Sequence, residues 1–171
     1  HPIAGTEFSG PEAAIYDLFK DKVNIICEQQ FSDPAILDKA VKLFELLKMR
    51  NVFMDSPIQH DKHIAYVSHL SHISSFMLGK TVLEIENDEK NIFDMAGSGF
   101  ASTVRLAKSN PNTWTPILLQ NKEYVLKSLE EYIKNLNQFR EVLSKNSEEE
   151  VYQIMQNTNR IKGVLAGIKN N

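Results

Sequence analysis

The chain has 171 residues, of which 42% are hydrophobic and 24% charged, so it is long enough and apolar enough to bury a globular core. Its 19 basic and 22 acidic side chains are interspersed and leave a net charge of −3, which argues against a basic face for nucleic acid. No apolar run reaches the length of a membrane span, and the single Cys27 excludes an intrachain disulfide and fits a reducing cytoplasm.

The opening, HPIAGTEFSG, has no initiator Met and leads into a Gly/Pro-rich turn. His1 is the type of side chain best suited to take a proton near neutral pH, and Gly5 permits close backbone approach beside Glu7. Spacing alone leaves His1 open between that role and a loose terminal residue. KVNIICEQ (22–29) reads as a short strand, and Asp33-Pro34 then opens a helix with Asp as N-cap and Pro at its first position. Leu37, Ala40, Val41, Phe44 and Leu47 recur at helical spacing, and NVFMD (51–55) reads as a second strand. Strand, helix and strand within about 33 residues match one βαβ unit. Two strands do not make a stable sheet, so residues 1–56 are expected to be the tail of a larger α/β domain whose earlier part is absent.

From Ser56-Pro57 onward every strong signal is helical. The pattern predicts a helix over 57–84 with a break near Gly79, then a shorter piece leading to GSGF (97–100). A stretch opens at Asn110-Pro111, and a last helix carries Val151 to Leu165, started by a Ser147/Glu150 capping box. The fold class is therefore mainly α: a long-helix bundle over 57–171, preceded by a short βαβ remnant over 1–56. The apolar stripes are wide enough to cover a partner chain.

Four histidines crowd HDKHIAYVSHLSH: His60, His63, His69 and His72. At roughly 100° per residue, His60 and His63 fall near about 0° and 300°, and His69 and His72 near about 180° and 120°. The pairs are expected to point to opposite sides, so no metal site is predicted; His63 is read as a partly buried, hydrogen-bonded histidine. Arg105 lies between Val104 and Leu106, and an Arg inside an apolar helical stretch needs a counter-charge, from an internal carboxylate or an anionic ligand. Trp114 is open between core packing and a cavity wall. The GSG at 97–99 lacks a third glycine and a preceding strand, and is read as a turn between helices.

Three segments, HPIAGTEFSG (1–10), SPIQHDKHIAYVSHLSH (56–72) and GFASTVRLAKSNPNTWTPILLQN (99–121), together resemble the C-terminal part of the prephenate/arogenate dehydrogenase family. The resemblance implies NAD- or NADP-dependent oxidative decarboxylation of a cyclohexadienol, prephenate or arogenate, in tyrosine biosynthesis. Hydride leaves the hydroxyl-bearing ring carbon for the nicotinamide, a base takes the hydroxyl proton, and aromatisation expels carbon dioxide. It also implies a homodimer made by the helical domain, a cytoplasmic location, and a nucleotide site mostly in a preceding domain that is not in this chain. On that account the 171 residues alone are expected to be inactive. His1 matches the family's catalytic histidine and Arg105 its carboxylate-binding arginine. Thr6, Glu7, His60, His72 and Trp114 match positions lining or gating the pocket, and His69 is assigned structural duty. Ala101-Ser102 stand where the family usually has a charged pair, and Ser71 where it has Pro. The alternative reading is a stand-alone helical dimerisation or ligand-sensing module.

Overall fold

The computed structural model describes residues 1–6, 8, 10–89 and 91–167. Its elements run β1 (Pro2–Ile3), β2 (Val23–Cys27), α1 (Pro34–Leu46), β3 (Arg50–Met54), α2 (Pro57–Ile64), a π-helical turn (Ala65–His69), α3 (Leu70–Asp88), α4 (Ser98–Thr103), α5 (Pro111–Gln120), α6 (Lys122–Ser144), α7 (Glu148–Thr158) and α8 (Ile161–Ala166). The mainly α class with a βαβ remnant is borne out. β2 and β3 pair in parallel across α1, with Asn24 opposite Asn51. The sheet also has a third member that the sequence did not announce: β1 runs antiparallel to β2, with Pro2 opposite Asn24.

Local chemistry explains most of the element starts. The Asp33 carboxylate accepts from the Ala35 and Ile36 N–H groups at the head of α1, and Ser56 Oγ accepts from Ile58 N–H at the head of α2. Asn110 and Ser147 do the same for α5 and α7. Each satisfies a donor that a helix start would otherwise leave bare. The register of the sheet is held from inside by Asn24, fully buried, whose amide donates to Asn51 Oδ1 at 2.9 Å. A slip of one residue would turn these amides to opposite faces.

Three details depart from the sequence reading. The histidine-bearing helix is interrupted at Ala65–His69, not at Gly79, which lies inside α3 where a Cβ would come within 3.7 Å of the Ala107 methyl. Gly97 caps α4 instead of ending in a turn. The last helix divides at Asn159-Arg160, where Thr158 Oγ1 donates back to the Ile154 carbonyl at 2.8 Å; such back-bonding loosens and bends a helix.

The chain forms two compact units, His1–Leu126 and the residues from Lys127 onward. In the first, Met49, Ile64, Ala65 and Val125 are buried; in the second, Val142 and Ser128 are. Among the described residues, no helix is long and apolar enough to cross a membrane.

Buried Ser75 on α3 fixes the short turn Arg105–Lys108. Its hydroxyl donates to Thr103 O and accepts from Ala107 N–H, each at 3.1 Å, gripping the chain on both sides of Arg105. Ser75→Ala would remove both bonds while Ala107 N–H keeps the Val104 carbonyl at 3.0 Å, so urea unfolding should report a loss of roughly 1 kcal/mol.

Candidate active site

The wide turn at Ala65–His69 decides how the histidines are arranged. Leu70 N–H reaches back five residues to Ala65 O, so one extra residue is absorbed into the turn. At roughly 100° per residue, this rotates all that follows back by about 100°, bringing His69 and His72 to within about 80° and 20° of His60. The expected opposition of the two histidine pairs is thus corrected. His63 departs as well: it is exposed, at an apolar groove of about 370 Å³ whose walls include Ile25, Val52, Ile64 and Val67. Among the described residues, no group of three or more His, Cys, Asp or Glu side chains is arranged to hold a metal ion.

His1 sits just before β1, tied to β2 by backbone bonds in both directions with Ile25. Its Nδ1 lies 2.7 Å from His60 Nε2, and the two rings meet edge to face at 66°. On its other side, His60 Nδ1 lies 2.9 Å from Asp61 Oδ1. The structure therefore brings together two predicted residues 59 positions apart.

The second grouping surrounds Trp114. The His72 ring stacks on the indole, centroids 3.3 Å apart, while His69 meets it edge-on at 6.0 Å. His72 Nδ1 donates to the Ser68 carbonyl at 3.0 Å, which assigns its proton to that nitrogen. Asn121, at the junction of α5 and α6, donates through Nδ2 to the Asp61 carbonyl at 2.8 Å and faces His69 Nδ1 at 3.2 Å. Sequence reasoning gave no role to Asn121 or Asp61. Asn121 ends one matched segment and Asp61 lies inside another, and only the fold brings them side by side.

Burial pushes His72 below its ordinary value of 6.5; the Ser68 carbonyl opposes this and the Arg105 charge adds to it. Burial also lowers His69, followed by the charges of His72 and His60, with Asp61 opposing. Arg105 itself is exposed on the Arg105–Lys108 turn, not enclosed in an apolar helix as expected. Its neighbours Val104 and Leu106 are half-buried. Thr6 is exposed and its hydroxyl accepts from Phe8 N–H at 3.3 Å, a local turn contact. Glu7 lies outside the described residues. No phosphate cradle is evident at the head of α1: the helix start after β2 is occupied by the Asp33 carboxylate, so these residues do not fit a nucleotide pyrophosphate.

The fold thus brings together two groupings, His1 beside the antiparallel edge strand with His60 and Asp61, and His69 and His72 around Trp114. Residues 56–157 match the dimerization domain of prephenate dehydrogenase and residues 1–53 its nucleotide-binding domain, and the chain belongs to this family. It is 29% identical over 153 residues to the prephenate dehydrogenase of Bacillus subtilis, covering 90% of this chain and 41% of that protein. Over 145 residues it is 28% identical to the cyclohexadienyl dehydrogenase of Zymomonas mobilis, covering 84% and 49%. The structure of prephenate dehydrogenase from Aquifex aeolicus in complex with hydroxyphenyl propionate and NAD+ superposes with a TM-score of 0.85 at 33% identity, over 96% of this chain and 57% of that one. Synechocystis arogenate dehydrogenase superposes at 0.76 with 26% identity, over 96% and 60%. The chain spans about half the length of the curated relatives it matches.

Because His69 and His72 are held neutral when folded and charge more readily when unfolded, the unfolded chain binds more protons below about 6.5. Stability is full above that value and is lost as pH falls toward the lower folded values. Thermal unfolding between pH 5.5 and 7.5 should show Tm falling toward the acid end, and His69→Gln or His72→Gln should flatten the slope. A Tm indifferent to pH in the parent would contradict neutral imidazoles.

Proposed function

We propose that the whole protein is an NAD- or NADP-dependent dehydrogenase that oxidatively decarboxylates prephenate or arogenate in tyrosine biosynthesis, acting in the cytoplasm as a homodimer. The observation that carries this reading is the His72 ring stacked on Trp114, centroids 3.3 Å apart, with the Arg105 turn close enough for its charge to bear on His72. A cation beside a flat apolar wall suits a ring that bears a carboxylate. When bound, the nicotinamide supplies the hydride acceptor. The residues here supply the rest: Arg105 holds the substrate carboxylate, and the His72–Trp114 stack lines the ring's side and limits water. His1 takes the hydroxyl proton at Nε2, the nitrogen left over by its bond to His60. The dimer is supported by the match to a dimerization domain and by Met77, Leu83, Ile133, Leu136 and Met155, all about half exposed.

The domain division at residue 56 belongs to the same reading, with the sheet and its His1 loop on one side and the substrate-holding helices on the other. Thr6 and Glu7 follow His1 in the same matched sequence segment and are proposed to border the substrate.

Reduced nicotinamide formation by the full-length gene product, with each substrate and each cofactor, tests the activity; no turnover with any pair would sink the proposal. Arg105→Ala should raise KM by roughly 10- to 100-fold, the worth of a charge-assisted contact, with a smaller change in kcat. Unchanged KM would remove Arg105 from the carboxylate site. Sedimentation should give twice the chain mass at micromolar concentration, and a monomer there would refute the dimer.

A further inference from the structure

An imidazole can act as a base only at the nitrogen that carries no proton, so something must fix which nitrogen that is. Three groups in a row do so here. An ionised Asp61 carboxylate only accepts, so His60 Nδ1, 2.9 Å away, carries a hydrogen. Neutral His60 then has a bare Nε2. The atom facing it at 2.7 Å, His1 Nδ1, must be the donor. That leaves His1 Nε2 bare. The middle ring is well shielded, its side chain 14% exposed, whereas Asp61 at the outer end is 49% exposed. The Asp61 carbonyl is separately held by Asn121, which pins the turn that carries both Asp61 and His60.

From this geometry we infer that His60 and Asp61 are positioning residues that set the His1 tautomer and receive the charge His1 acquires. The inference rests on the reading of His1 as the base and goes beyond it, since it moves His60 from the pocket wall to a place behind the base. As the substrate O–H bond breaks, a proton joins His1 Nε2. The Nδ1 proton of His1 passes to His60 Nε2, so the positive charge comes to lie beside the Asp61 carboxylate. One proton enters and one shifts; no electrons are exchanged in this step. The arrangement lengthens the carboxylate–imidazole couple of acyl-transfer enzymes by one ring.

Kinetics of variants of the full-length gene product, together with imidazole nitrogen NMR, test it. Asp61→Asn can present an N–H to His60 and reverse both tautomers, so kcat should fall on the order of 10²- to 10⁴-fold with KM nearly unchanged. His60→Gln keeps an acceptor for His1 Nδ1 and should retain at least about tenfold more kcat than His60→Leu, the difference expected from one preserved hydrogen bond to the base. Long-range nitrogen–proton spectra should show His1 protonated on Nδ1 in the parent and on Nε2 in Asp61→Asn. A parent His1 protonated on Nε2, or equal kcat losses in the Gln and Leu variants, would overturn the inference while leaving dehydrogenase activity intact. A loss confined to KM would return His60 to the pocket wall. Absence of turnover in the parent would sink the dehydrogenase reading and the catalytic role of the relay with it, and the spectra would still decide whether Asp61 sets the tautomers.

Discussion

One hydrogen bond of unusual reach, from Leu70 N–H to Ala65 O, sets the phase of the helix on which the site depends. A π-helical turn is less favourable than a regular one and persists where surrounding contacts hold it. Those contacts are present: buried His69 meets the Trp114 edge and the Asn121 amide, and the same amide holds the Asp61 carbonyl one turn earlier. Asn121 thus spans the approach to the wide turn and its last residue. Without that turn, His69 and His72 would face away from His60, and Trp114 would have no imidazoles to pack against.

The electrostatics follow from the same packing. His69 and His72 flank the indole, and both are pushed by burial toward the neutral form. Two imidazolium ions there would repel one another and Arg105. Keeping the rings neutral avoids that repulsion. Ser75 then matters more than its size suggests, because it holds the backbone on both sides of that Arg.

The helix starts were legible because capping is local: Asp33, Ser56, Asn110 and Ser147 each bond within two or three residues along the chain. The βαβ order was legible for the same reason. The wide turn was not, since no residue type from Ala65 to His69 signals one, and the contacts that hold it come from Trp114 on α5 and Asn121 just after it. Nor was β1, two residues long with a Pro, which gains its pairing only from β2. Arg105 misled because adjacent residues on a turn point in different directions, so apolar neighbours at 104 and 106 say nothing of its burial. The motif resemblance indicated which residues to collect. It could not indicate that His60 faces His1, because that distance is set by a sheet register and a helix cap acting together.

The contact between His1 and His60 constrains how such a protein can change over time. His1 rides on the sheet, and His60 on the first turn after Ser56, so their 2.7 Å contact bridges the boundary at which the two domain matches meet. Domains that fold as separate modules are ordinarily free to be recombined. Here a graft of either part from a relative would inherit an alignment tolerance of a few tenths of an ångström across the graft point. The two parts are therefore bound to diverge in step, and chimeras should succeed only when the cut moves to one side of both imidazoles.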